Sequence, residues 1–127
     1  MSVRIPISIG ELFDKISILE NKSQFITEDN KLKNIHKEYT QLRKIALKLN
    51  NSFEKDYHYK KLKKINRLLW DIEEHKRECE TRKDFGDKFI ELARKVYMKN
   101  DERASIKRKI NEQYGSSIIE EKSYKKY

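Results

Sequence analysis

Two groups of ionisable and amide side chains at helical spacing could form a binding or acid–base site in this chain. They comprise Glu11, Asp14, Lys15 and Lys22 near the N-terminus, and Asn100, Arg103 and Lys107 much later in the chain. Arg103 and Lys107 could clamp a small phosphate or carboxylate compound, beside a carboxylate that acts as acid or base. The alternative is a salt-bridge network that fixes helix register, because charged groups on a packed seam need partners.

The middle of the chain carries a concentrated positive charge. Residues 31–67 contain 12 Lys or Arg against 3 Asp or Glu, so this segment alone accounts for the formal net charge of +9. Such a surface could contact nucleic-acid phosphates while tyrosines stack on exposed bases. The candidates are Tyr57, Tyr59, Lys60, Lys61, Lys63, Lys64 and Arg67. The alternative is a solvated face, because lysines dominate and no known nucleic-acid-binding signature accompanies them.

Trp70, Glu73 and Arg77 share the side of their predicted helix that faces away from its apolar stripe. A tryptophan there predicts a contact surface for another helix, a ligand or a second subunit. Packing within the chain is the alternative. No metal site or cofactor is expected, because no two of the 3 His fall within one helical turn of each other. Cys79 lies on the apolar side of its predicted helix, which indicates a buried thiol.

Helices must position all of these side chains. The 127 residues include only 3 Gly and 1 Pro, and the apolar residues recur at helical spacing, so we expect an all-α fold, a small four-helix bundle. The length fits a single helical domain over 1–127. The predicted elements are helices at about 8–26, 29–49, 54–81 and 85–114, with an extended C-terminal tail at 116–127.

The first predicted helix has a strongly marked beginning. Pro6 disfavours helix just upstream, Ser8 is a good N-cap, and Glu11 completes a capping box. Ile7 and Leu12 occupy the positions of a hydrophobic staple. Apolar residues lie not only on the main stripe of this helix but also near its charged face. We therefore expect it to pack on more than one side and to be the central helix.

The other helices are expected to pack through heptad-like seams. Helices two and three, joined by the polar link Asn50–Ser52, should form a long antiparallel hairpin. The fourth helix would be about 45 Å long. We therefore expect a bend near Lys99–Asp101, or projection beyond the body, and a helix end at Gly115. Apolar area left over from helices three and four would serve self-association.

The composition also bears on location. No apolar run approaches the roughly 20 residues of a membrane span, and the N-terminal residues lack the apolar core of a signal peptide. One cysteine excludes an intrachain disulfide. We expect a cytoplasmic protein with no membrane partner.

Several motifs in this chain resemble those of one family. They are residues 4–22, Leu69–Glu73, Asp84–Gly86, Tyr97 with Asn100, Asp101 and Arg103, and Glu120–Tyr124. In these motifs the chain resembles domain-of-unknown-function family 6165, small proteins of bacteria and their phages. The resemblance spans nearly the whole chain and is weakest in the basic middle. It implies no activity, but it implies joint importance for Glu11, Asp14, Lys15, Trp70, Asn100, Asp101, Arg103 and Lys122.

We therefore predict a small basic helical protein that works as a non-enzymatic binding module and self-associates, as a dimer. One alternative is a nucleic-acid-binding protein that uses the basic segment 31–67. Another is a small-anion-binding protein or weak enzyme at the polar cluster between helices one and four.

Overall fold

The computed structural model describes residues 1–127 and contains four α-helices and no strand. The helices are α1 (Ile9–Phe25), α2 (Asp29–Leu49), α3 (Tyr57–Thr81) and α4 (Asp87–Gln113), with a single 3-10 turn at Phe53–Lys55. The predicted all-α bundle is confirmed, and the predicted helix limits agree with these bounds to within a few residues. None of the helices is both long enough and apolar enough to cross a membrane.

The start of α1 follows its local sequence. The Ser8 hydroxyl accepts a hydrogen bond from the Glu11 N–H at 3.1 Å, as an N-cap does. The Glu11 carboxylate does not complete the predicted capping box, because it pairs with the Lys107 ammonium 2.7 Å away. Ile7 packs against the core that contains Leu12. The N-cap of α1 is thus formed by neighbouring residues, whereas the charge partner of Glu11 comes from the other end of the chain.

The predicted central position of α1 is confirmed, because α1 lies against α2, α3 and α4. Its side chains Phe13 and Ile16 are fully buried. The main core consists of Leu12, Phe13, Ile16, Ala46, Phe53, Tyr59, Leu62, Ile65, Ile106 and Ile110. Every helix contributes to this core, so α1 is the element on which the others assemble.

The predicted hairpin of helices two and three is wrong. No Cα atom of α2 lies within 8 Å of one in α3, and α1 lies between α2 and the last two helices. The long antiparallel hairpin is formed instead by α3 and α4. Ile65 and Ile106 meet in the main core, while Cys79 and Leu92 meet in a second cluster towards the α3–α4 turn. Heptad seams on three helices are alike, so spacing alone did not identify the partners.

The α3–α4 hairpin extends beyond α1 as an arm, residues 72–99. At about 1.5 Å per residue, the 17 residues of α1 cover about 25 Å, whereas the 27 residues of α4 reach about 40 Å. The arm has a small core of Ile72, Cys79 and Leu92. α4 continues as one uninterrupted helix through Lys99–Asp101, and the expected projection beyond the body is observed.

The C-terminal tail is extended and runs back along α4. Gly115 has a φ of +62° and ends the helix. The Ser116 hydroxyl accepts a hydrogen bond from the Ile9 N–H at 3.2 Å. Further along, the ring of Tyr127 lies 5.2 Å from that of Tyr97. The tail therefore brings its charged residues to the same side of α4 that meets α1.

Candidate functional site

The predicted polar cluster forms between α1 and α4. The Asp14 carboxylate is 1% exposed and accepts hydrogen bonds from Arg103 Nε at 3.0 Å and from Arg103 Nη2. One turn earlier on α1, Glu11 accepts a hydrogen bond from the Lys107 ammonium at 2.7 Å. Two carboxylates one turn apart thus meet two cations one turn apart. This match fixes the antiparallel register of α1 on α4.

The tail completes the electrostatic balance of this cluster. Glu120 accepts hydrogen bonds from Lys107 at 3.2 Å and Lys122 at 2.5 Å. Hydrogen bonds from Lys122 and Lys107 hold the pKa of the Glu120 carboxyl below its ordinary value. The hydrogen bond to Asp14 raises the pKa of the Arg103 guanidinium. Three carboxylates therefore neutralise three cations, which favours the register-fixing network over a site for a free anion.

Three of the seven predicted members lie at the edge of this network. The Lys15 ammonium is 4.0 Å from Glu11 and its side chain is about half exposed. Lys22 has no carboxylate within 4.0 Å. The Asn100 amide oxygen accepts a long hydrogen bond, 3.5 Å, from Arg103. The structure thus joins four of the predicted residues tightly and leaves these three at the margin.

A groove opens beside this network where α1 ends. The Trp70 ring stacks on Phe25 of α1 with centroids 5.2 Å apart. Beyond that contact, α3, α4 and Ile18 of α1 line an open groove of about 490 Å³. We call it the Trp70 groove, and its lining includes Ile18, Leu69, Trp70, Glu73, Arg77, Val96, Asn100 and Arg103. Two residue sets that the sequence suggested separately, the tryptophan trio and Asn100 with Arg103, therefore share one groove.

The predicted nucleic-acid residues divide between two sides of α3. The Tyr59 ring is buried and its hydroxyl donates to Glu20 at 2.6 Å, so it presents no face to a base. Burial and that hydrogen bond raise the pKa of the Tyr59 phenol. The Lys63 ammonium pairs with Glu20 at 2.7 Å, and the Arg67 guanidinium lies over the Phe25 ring at 4.1 Å. These three residues serve the packing of α1.

The other members, Tyr57, Lys60, Lys61 and Lys64, are exposed on α3. Three of them, Tyr57, Lys61 and Lys64, lie on the side away from α1 and line a second groove. The lysines of α2 belong to another surface, since α2 packs on α1 and not on α3. The basic segment 31–67 is therefore not one continuous patch.

Comparison with known proteins bears on the whole chain. A model described as a family of unknown function, DUF6165, matches residues 3–127. The chain belongs to that family. No curated protein and no solved structure matches the chain.

Most of the residues that the resemblance implied to be jointly important in this DUF6165 chain lie near one another, whereas the segment Asp84–Gly86 lies at the distant α3–α4 turn. Glu11, Asp14, Arg103 and Lys122 join the α1–α4 network or its tail contact. Trp70 and Asn100 line the neighbouring groove, and the interaction with the Asp101 carboxylate raises the pKa of the Tyr127 phenol. The helical core thus holds residues from both ends of this DUF6165 chain against one face of α4.

Sequence reasoning missed two structural contributors in this DUF6165 chain. The Asn66 amide donates to Asp14 and to the Ser17 hydroxyl, both at 2.8 Å. Its signal is a polar residue beside Ile65 in the buried stripe of α3. The Gly10 N–H donates to the Asn111 amide oxygen at 2.6 Å. A Cβ at Gly10 would lie 2.5 Å from a backbone oxygen of α4, so only glycine permits this approach.

Proposed function

We propose that this chain is a non-enzymatic binding module that self-associates through the Trp70 groove. The observation that supports it best is the arm of α3 and α4, which extends beyond α1 with only Ile72, Cys79 and Leu92 buried within it. A two-helix arm of this length has apolar surface that α1 does not cover. Phe85 and Ile90, for example, are about half exposed. A second copy of the same arm would cover such surface.

The charges along the groove favour a second copy as the occupant. Glu73 and Arg77 lie four residues apart on one face of α3. In an isologous pair with α3 antiparallel to its copy about a two-fold axis near His75, Glu73 of each copy would face Arg77 of the other. The groove is then complementary to itself. Trp70, beside this pair, would supply the aromatic contact typical of an interface centre.

Binding rather than catalysis agrees with the state of the carboxylates. Glu11 and Asp14, the predicted acid–base candidates, are each held by a cation of α4. A catalytic acid or base needs access to a substrate proton. Asp14 is buried in its ion pair and hydrogen-bonded to Asn66 as well, so its proton-accepting oxygens are already occupied.

Sedimentation velocity of the full chain tests this proposal. We expect a dimer at tens of micromolar for the native sequence. Glu73→Arg and Arg77→Glu each place like charges opposite one another and should shift the population towards monomer. The double swap Glu73→Arg/Arg77→Glu restores opposite charges and should recover the dimer. Recovery by the double swap is the signature of a self-complementary interface.

A control substitution separates this surface from a general charge effect. Glu91→Arg makes the same charge change on an exposed part of α4 outside the groove and should leave the dimer intact. A native chain that stays strictly monomeric at these concentrations would contradict self-association. Equal loss with Glu91→Arg would contradict the assignment to the Trp70 groove. We also propose the cytoplasmic location predicted from the composition, which cell fractionation would test.

A further inference from the structure

A second open groove lies on the outward side of the α3–α4 hairpin. At 100° per residue, Tyr57, Lys61 and Lys64 lie on the side of α3 opposite Trp70 and Glu73. Side chains of α4 form the other wall, and the groove has a volume of about 640 Å³. We call it the outward groove, and its lining includes Tyr57, Lys61, Lys64, Leu68, Lys99 and Lys109.

The charge of the outward groove is unbalanced. Four lysines and one carboxylate, Glu102, line it. Lys99 pairs with Glu102 at 3.2 Å, but Lys61, Lys64 and Lys109 have no carboxylate within 4.0 Å. Because two of these lysines lie on α3 and the third on α4, they surround the groove rather than project from one ridge. The opposite face differs, since its cations Arg103 and Lys107 are neutralised.

The groove also offers apolar and aromatic surface. Leu68 is 40% exposed and lies above the buried side chains of Ile65 and Ile106, which form the floor. Tyr57 is 67% exposed at one end. The Lys61 ammonium lies 5.3 Å from the centre of its ring. An exposed aromatic ring next to an unpaired cation suits a base that stacks and a phosphate that follows it.

We propose that the outward groove binds single-stranded nucleic acid without sequence preference. The unpaired lysines would contact successive phosphates, and Tyr57 with Leu68 would contact unstacked bases and sugars. A duplex presents phosphates but hides its base faces, so it would leave Tyr57 and Leu68 without a counterpart. Lysine rather than arginine surrounds the groove, which agrees with backbone contact and not with base-edge recognition. The outward groove lies on the far side of the hairpin from the Trp70 groove, so the proposal does not require the dimer.

Fluorescence anisotropy with a labelled single-stranded DNA of mixed sequence, at two or more salt concentrations, tests the proposal. Three unpaired lysines predict a slope of log affinity against log salt of about −2, from roughly 0.7 per phosphate on a single strand. The triple variant Lys61→Gln/Lys64→Gln/Lys109→Gln should weaken binding at low salt at least about tenfold and flatten the slope. Tyr57→Ala should weaken it at least about fivefold.

A matched variant on α2 provides the control. Lys33→Gln/Lys37→Gln/Lys44→Gln removes the same charge from exposed lysines and should change affinity less than threefold. Equal losses for the two triple variants would overturn the site, because net charge alone would then explain binding. Absence of binding by the native chain at low salt, or tighter binding of the matching duplex, would overturn the proposal too. Circular dichroism verifies the fold of each variant. Sedimentation of the same variants shows whether they still form the dimer, so a loss of nucleic-acid binding is distinguished from a loss of self-association.

Discussion

The buried ion pair of Asp14 and Arg103 allows a quantitative test of the α1–α4 network. Asp14→Asn keeps the shape of the side chain but removes the charge that the guanidinium contacts. Breaking a buried pair from one side costs about 3–5 kcal/mol. The Arg103 side chain is 29% exposed, so water can solvate part of the freed charge. We therefore expect Asp14→Asn to lower the free energy of unfolding by about 2–3 kcal/mol.

Urea unfolding followed by circular dichroism measures this loss. The slope of the unfolding free energy against urea concentration should be the same for the native chain and the variant. The matched control is Asp71→Asn, which also removes an aspartate from an arginine pair. Asp71 and Arg67 are 3.7 Å apart and both about half exposed. Exposed pairs of this kind contribute little, so Asp71→Asn should cost less than about 0.5 kcal/mol.

A double-mutant cycle identifies the partner. Arg103→Met leaves the Asp14 carboxylate buried with Asn66 as its remaining close donor, and should cost about 3 kcal/mol. The double variant Asp14→Asn/Arg103→Met removes both charges and should cost about 2 kcal/mol less than the two single losses added together. Additive losses, or a loss below about 1 kcal/mol for Asp14→Asn, would refute a structural role for the pair.

Two further predictions concern close packing and capping. Gly10→Ala should cost about 3 kcal/mol by thermal or urea unfolding, because the new methyl group would meet the Lys107 carbonyl oxygen. Gly86→Ala, where a Cβ meets only ordinary contact, should cost less than about 1 kcal/mol. Burial raises the pKa of Asp56, but hydrogen bonds from a glutamine of α4 and from two N–H groups of α3 lower it on balance. The Asp56 carboxylate therefore stabilises the fold above its unfolded pKa of about 4, and this contribution is lost as pH falls through the lower folded value. Asp56→Ala should cost about 2 kcal/mol at neutral pH and weaken the acid dependence, whereas Asp29→Ala should do neither.

The helices and their ends follow from local sequence. The spacing of apolar residues and the N-cap at Ser8 are properties of neighbouring residues, so they predict α1 without knowledge of its partners. The pairing of Asp14 with Arg103 could also be predicted from the sequence, because charged groups at packed positions require partners. Sequence therefore determined the helical class, the central helix and the charges that must meet.

Only the tertiary structure decided which helices pair. The seams of α2, α3 and α4 have similar spacing, and their partners depend on how all four helices fill one core around α1. This packing of the helices buries Tyr59, separates the lysines of α2 from those of α3, and places Lys61 opposite Lys109. The outward groove is made of residues from two helices and the Trp70 groove of residues from three. No single segment could reveal them, because periodicity describes one helix and a groove forms only between helices.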